Sequence, residues 1–154
     1  MDTSIRPMIA GDIPILAAWM TETTLWRRYG LTVERATANF EAALTGGDWL
    51  LTADGNDVAQ GFAWAIPKGT FGRSPYLRLI GVHPDAVGSG IGAGLLGAIE
   101  RMAVEVSNDL FLLVSDFNRD AQRFYQKHGY QEIGSIPGYV LPDVTELIFR
   151  KRLK

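Results

Sequence analysis

The sequence predicts a mixed α+β fold: a mostly antiparallel sheet of six to seven strands flanked by about four helices. Three observations lead there. Short β-like stretches separated by turn signals crowd the first half. One strand, glycine turn, helix and strand follow in succession in the middle. The resulting order, β-α-α-β-β-β-α-β-α-β-β, holds hairpins early and a single βαβ unit, unlike a doubly wound sheet. The 154 residues are the size of one domain, residues 1–154, and neither a linker nor a repeat divides them.

Residues 3–8 form a short strand candidate. Asp12 precedes Ile13, Ile15, Leu16, Trp19 and Met20, whose spacing fits one helix face, with Asp12 as N-cap. Residues 32–44 read as a second helix, opened by Thr32, with Glu34 in its first turn and Gly46-Gly47 as its stop. Strands over 48–52 and 58–66 are joined by a hairpin turn, Asp54-Gly55-Asn56-Asp57. Residues 68–74, with Gly69 and Gly72, read as a loop. A strand over 76–82 ends at His83-Pro84, because proline has no N–H for an interior ladder. Beyond the glycines, Ile91, Leu95, Ile99, Met102 and Val106 are spaced for one buried helix face. The apolar run 110–114 suits a strand buried on both faces. Asn118 opens a last helix through Ala121, Phe124, Tyr125 and His128, and Gly129 stands where a left-handed cap is expected. Strands over 130–135 and 145–152 follow, with Pro137-Gly138 and Pro142 between them.

Composition narrows the functional classes. Hydrophobic residues make up 47% and charged residues 21%, as in soluble globular proteins. With no cysteine there is no disulfide, thiolate nucleophile or Cys-based zinc site, and no metal is expected. The net charge of -2 argues against nucleic acid as a partner. The one basic cluster, Arg150, Lys151, Arg152 and Lys154, reads as a solvated strand end. No apolar run approaches the ~20 residues of a membrane span, and no apolar signal region follows the polar N-terminus. A cytoplasmic protein is expected.

Chemistry concentrates at Val87-Gly88-Ser89-Gly90-Ile91-Gly92-Ala93. A strand, a glycine turn and a helix in that order make an anion site. The first helical N–H groups lack intrahelical partners, the helix dipole adds positive potential there, and glycines admit a phosphate to the backbone. The Lys-Ser/Thr ending of a Walker loop is missing. The dinucleotide fingerprint is met only loosely, and after the fourth strand rather than the first.

These residues resemble the GNAT family of N-acetyltransferases, whose pattern is an apolar strand, a proline, then Arg/Gln-x-x-Gly-x-Gly/Ala. Val87 stands here where the family has Arg or Gln. A second family element follows: Asn118, Ala121, the aromatic pair Phe124-Tyr125, and Gly129. The likeness spans residues 79–130. It implies a sheet splayed between strands 76–82 and 110–114, which offers backbone groups to pantetheine amides. It implies acetyl-CoA as cofactor, with Ile80, Gly81 and Val82 contacting pantetheine and residues 87–93 holding the pyrophosphate. Asn118, Ala121, Phe124 and Tyr125 would add cofactor contacts.

Acetyl transfer from a thioester to an amine needs a neutral amine, a stabilised oxyanion and a proton for the leaving thiolate. The resemblance places the Tyr125 hydroxyl near the cofactor sulfur, and a phenol of pKa near 10 is still protonated at pH 7. A backbone N–H at Gly81 or Val82 is the oxyanion donor. The glutamate that some family members use as base falls on Tyr76. Asp116 is a replacement, His83 has a suitable pKa, and ordered water is a third route. Trp26, Tyr29, Phe71, Tyr76 and Tyr139 are candidate acceptor-pocket residues, with Trp19 beside them. Asp143 and Glu132 are carboxylates able to pair with an amine. The expected acceptor is an amine of a small molecule or peptide, and a homodimer is compatible with such a fold. A non-catalytic acyl-CoA sensor is the alternative on the same fold, and a nucleotide-binding domain of another class is the third reading.

Overall fold

The computed structural model describes residues 3–154. Twelve principal elements follow in order: β1 (Thr3–Pro7), α1 (Ile13–Met20), α2 (Thr24–Arg28), α3 (Val33–Gly46), β2 (Trp49–Gly55), β3 (Val58–Thr70), β4 (Ser74–Val82), α4 (Ile91–Ala103), β5 (Asp109–Ser115), α5 (Arg119–Lys127), β6 (Gln131–Pro137) and β7 (Thr145–Arg152). The seven strands form one mixed sheet in the order β1-β2-β3-β4-β5-β7-β6. The pairs β1–β2, β2–β3, β5–β7 and β6–β7 are antiparallel. The pair β4–β5 is parallel and is joined through α4, as the βαβ reading requires. Its ladder holds only Tyr76↔Phe111 and Leu77↔Leu112, the short pairing expected of a splayed sheet.

Local chemistry explains the ends of α3 and α5. Thr32 caps α3 by accepting the Arg35 N–H, and Gly47 closes it at φ 85°, a left-handed conformation that favours glycine. Asn118 caps α5 by accepting the Ala121 N–H at 3.2 Å. Gly129, at φ 92°, follows that helix as expected.

Several expectations require correction. Asp12 is no side-chain cap. Its carboxylate takes two bonds from the Arg6 guanidinium at 2.8 Å and one each from the Ile9 N–H and the Thr52 hydroxyl. An arginine arriving from β1 competes better for a carboxylate than orphan helix amides do. The first hairpin turns on Asn56 and Asp57, both at positive φ, while Gly55 still belongs to β2. Two successive left-handed residues match the twist of paired strands. The expected loop over 68–74 shrinks to Phe71-Gly72-Arg73, because β3 runs to Thr70 and β4 starts at Ser74. Val106 lies beyond α4 and is 59% exposed, so the buried stripe of that helix ends before it. Strand β5 alternates: Leu110, Leu112 and Val114 are buried, Phe111 and Leu113 half-buried. The five-residue α2 is an extra helix, too short to show a period.

The chain divides into two compact units, and β3 and β4 run through both. One unit comprises the chain up to Ala65 with Leu79–Ile99. Its core is aromatic: Phe62 meets Phe40 edge-on at 5.1 Å, Trp19 at 6.1 Å and Trp26 at 6.0 Å between ring centroids. The Trp19 indole N–H bonds Ala59 O, so the ring is buried without an orphan donor.

The other unit comprises Ile66–Arg78 with Glu100–Lys154. One face of its sheet carries buried Leu77, Leu110, Leu112, Val114 and Phe149. Glu100, late in α4, accepts from the Tyr130 hydroxyl at 2.7 Å and from Lys151 Nζ at 3.0 Å, which ties that helix to β6 and β7. Among the described residues no helix is long and apolar enough to cross a membrane, and no His, Asp or Glu group is arranged to hold a metal.

Candidate active site

The first unit carries the glycine turn. Strand β4 ends with the His83 N–H bonded to Gln60 O at 2.7 Å. A single 3-10 turn, Pro84–Ala86, follows, and His83 Nδ1 accepts the Asp85 N–H at 3.0 Å. Val87 is 72% exposed. Gly88 and Gly90 take φ of 85° and 89°, and no atom lies within 4 Å of where a Cβ would stand on either. The first intrahelical bond of α4 is Gly94 N–H to Gly90 O, at 3.0 Å. The amides of Ile91, Gly92 and Ala93 therefore precede the helical ladder. Open space over two left-handed glycines, beside unpaired amides at the positive end of a helix dipole, fits a diphosphate. Ile91 itself is buried and anchors the turn.

Upstream, Ile80 and Val82 are half-buried and Gly81 is buried. A Cβ on Gly81 would stand 2.7 Å from Trp26 Cη2 and would enter the Phe62 ring. Glycine is thus needed for packing at this point of β4. The same contact places Trp26, a predicted pocket residue, against Gly81. Tyr29 closes the same short helix and is half-buried. His83 stacks edge-on against Trp19 at 5.4 Å and serves the turn through Nδ1, which accounts for it structurally.

The second unit carries the phenols. Tyr125 is 9% exposed and packs edge-on against Phe124 and Tyr130 at 5.1 and 5.6 Å. Burial, reinforced by the nearby Tyr76 phenol, pushes its pKa well above the ordinary phenol value. No described residue accepts from its hydroxyl. The hydroxyl is not among fully buried side-chain polar atoms that lack a partner. Tyr125 is therefore a protonated donor with a packed ring and an uncommitted O–H. Asn118 caps the helix that carries it, and Ala121 and Phe124 are half-buried on the same helix.

Three predicted pocket residues converge in this unit. Directly opposed residues share a sheet face. The pairs Tyr76↔Phe111, Leu113↔Ile148 and Ser115↔Glu146 thus place those six side chains together, opposite the buried Leu77–Leu112 face. Phe71, 90% exposed at the hairpin tip with φ 56°, meets Phe111 edge-on at 6.1 Å. Burial raises the Tyr76 phenol pKa, Arg78 pulls it down, and Glu146 and Tyr139 push it up. Gly69 keeps the neighbouring position clear, since a Cβ there would lie 2.8 Å from Tyr76 Cβ.

Sequence reasoning missed Glu146. It is a charged residue only 6% exposed, inside the strand pattern Thr-Glu-Leu-Ile-Phe. The signal was a carboxylate at a position whose strand neighbours are apolar. Asp116, the predicted base, is exposed: its carboxylate accepts the Thr145 N–H at 3.3 Å and its own N–H bonds Thr145 O. Those bonds close the start of β7 against the end of β5. Glu132 and Asp143 are exposed, on β6 and on the loop before β7.

A family model described as an acetyltransferase (GNAT) domain matches residues 46–132, more than half of the chain. Solved structures share the fold. An N-acetyltransferase from Staphylococcus aureus Mu50 superposes with a TM-score of 0.83 at 18% identity, covering 100% of both chains. A ribosomal-protein-alanine N-acetyltransferase from Brucella melitensis gives 0.80 at 22% identity, covering 97% of this chain and 99% of that one. An acetyltransferase from Salmonella typhimurium, solved with its cofactor acetyl-CoA, gives 0.77 at 18% identity, covering 99% and 94%.

Proposed function

Because this chain belongs to the GNAT acetyltransferase family and is an acyl-CoA-dependent acetyltransferase, we propose that it transfers the acetyl group of acetyl-CoA directly to a primary amine of a small molecule or peptide. The observation that carries this reading is the glycine turn: exposed, left-handed at Gly88 and Gly90, with open space above it and free amides at the start of α4. Val87, Gly88, Ser89, Gly90, Ile91, Gly92 and Ala93 hold the diphosphate, mostly through backbone N–H groups. Ile80, Gly81 and Val82 offer backbone groups to the pantetheine, and the N–H of Gly81 or Val82 serves the oxyanion.

Tyr125 supplies the proton to the departing thiolate. A raised phenol pKa keeps the proton in place before reaction, and the absence of a protein acceptor leaves it free to donate. Asn118 holds the first turn of the same helix, and Ala121 and Phe124 line its cofactor-facing side. The candidate acceptor contacts are Trp26 and Tyr29 in the first unit and Phe71, Tyr76 and Tyr139 in the second.

The test is calorimetric titration of acetyl-CoA into the wild type and Gly90→Val, paired with thiol release in a panel of amines. The expected result is binding in the wild type, loss of at least tenfold in affinity in the variant, and release of CoA with some amines. Equal affinity in the two proteins would remove the diphosphate site. Binding without CoA release in any amine would instead favour an acyl-CoA sensor.

A further inference from the structure

The acceptor amine reaches this protein as an ammonium, since an unperturbed alkylamine has a pKa near 10. Only about one molecule in a thousand is neutral at pH 7. Something must take its proton before the nitrogen can attack. Asp116 is exposed and bonded to the Thr145 backbone. The strand position where a family glutamate would fall is Tyr76, whose raised pKa makes it a poor acceptor of protons.

Glu146 is placed differently. It lies on β7 directly opposite Ser115, on the sheet face that carries Tyr76, Phe111, Leu113 and Ile148. It is 6% exposed, whereas Asp116, Glu132 and Asp143 nearby in sequence or fold are solvent-facing. Tyr76 feels the Glu146 charge, and Tyr125 feels Tyr76. The half-buried Tyr76 phenol is thus close enough to feel the carboxylate and to influence the donor phenol. Between Glu146 and Arg150 the face carries Phe111, Leu113 and Ile148, with Phe71 edge-on to Phe111. A carboxylate has four acceptor positions, so a partner already in place leaves room for an ammonium.

We propose that Glu146 is the proton acceptor for the substrate amine, and that the acceptor is an ammonium on an apolar or aromatic body rather than an α-amino acid. This rests on the acetyl-transfer reading above. Glu146 takes one proton from the ammonium. The freed lone pair forms the C–N bond to the thioester carbon, and the C–S bond breaks. The nitrogen sheds a second proton as the amide forms, and the thiolate takes one from Tyr125, which solvent restores. The net release is one proton per turnover. The apolar body lies along Phe111, Leu113 and Ile148. Among the described residues, Tyr76 interacts with Glu146, Arg78 and Tyr139 act on the same Tyr76 phenol, and Asp116 bonds the neighbouring Thr145 N–H. Arg150, further along the face, is paired with Asp109 at 2.7 Å.

The experiment compares the wild type, Glu146→Gln and Glu146→Asp. The probes are 2-phenylethylamine, phenylalanine and 2,2,2-trifluoroethylamine, the last already neutral at pH 7, each titrated from pH 6 to 10 by thiol release. Acetyl-CoA affinity and thermal melting serve as folding controls. Three results are expected. Phenylethylamine outperforms phenylalanine. E146Q loses about hundredfold in kcat/KM for phenylethylamine at pH 7 and recovers as pH approaches the amine's own pKa. The loss is under fivefold for trifluoroethylamine, and E146D restores part of the rate. Equal losses for both amines with an unchanged pH profile would make Glu146 structural and overturn the proposal. So would E146Q matching the wild type, or a preference for phenylalanine. A wild type that binds acetyl-CoA but releases no thiol with any amine would sink acetyl transfer itself, and this assignment with it.

Discussion

At the scale of single residues, Tyr125 and Gly81 decide different things. In the proposed transfer Tyr125 is the proton donor, and its ring packs edge-on against Phe124 and Tyr130. Tyr125→Phe keeps that ring and removes only the O–H. The expected outcome is a fall of about 10²-fold in kcat with acetyl-CoA affinity unchanged, read by steady-state kinetics and calorimetry. Gly81 decides packing. An added methyl would strike Trp26 and Phe62, so Gly81→Ala should destabilise the protein by about 1–3 kcal/mol, measured by urea unfolding. Tyr125 was legible in the sequence because it sits in a recognisable string behind Asn118. Gly81 was legible as a strand residue only: its reason for being glycine is an indole arriving from fifty-five positions earlier, which no local pattern carries.

At the scale of elements, caps and ties set where functional groups point. Helix α5 begins where Asn118 accepts the Ala121 N–H. Asn118→Ala should cost about 1 kcal/mol, and Asn118→Ser should recover most of it, by thermal melting. Helix α4 is held late in its length by Glu100, which accepts from Tyr130 and Lys151. Tyr130→Phe should cost about 1.5 kcal/mol, because a carboxylate loses one of two partners in a largely buried place. Element identity was largely readable from periodicity and punctuation. The hairpin over residues 70–74 was not, because Gly69 and Gly72 read as a loop. Gly69 is in fact a strand residue whose missing Cβ clears space beside Tyr76. Glycine in a sequence does not distinguish a turn from a close approach.

At the scale of the whole molecule, one network ties the N-terminal strand to the sheet. Arg6 bridges Asp12 and Asp54, and Asp12 also accepts from Ile9 and Thr52. Burial raises the Asp12 carboxyl pKa, but the hydrogen bonds of Arg6, Ile9 and Thr52 outweigh that and hold it below the ordinary carboxylate value. A depressed folded pKa means that the unfolded chain binds the proton more readily in the interval between the two values. The stabilisation is therefore complete above about pH 4 and lost as pH falls through the folded value. Wild type and Asp12→Asn should differ clearly in melting temperature at pH 6, and the gap should close below pH 4. A gap that stayed constant to pH 3 would assign the effect to packing rather than charge.

The sequence alone determined the fold class, the order of the seven strands and of every helix but α2, the glycine turn before α4 and the phenol behind Asn118. These depend on periods, caps and spacings within a few residues, and such information is local. Tertiary structure alone decided which distant residues share a surface. Register between β4, β5 and β7 put Tyr76, Phe111 and Glu146 on one face, and long-range pairing turned Asp12 from a cap into a salt-bridge partner. Strand register is a property of two chain segments at once, and a carboxylate's environment depends on whatever the fold brings beside it. Neither is contained in any single stretch of sequence.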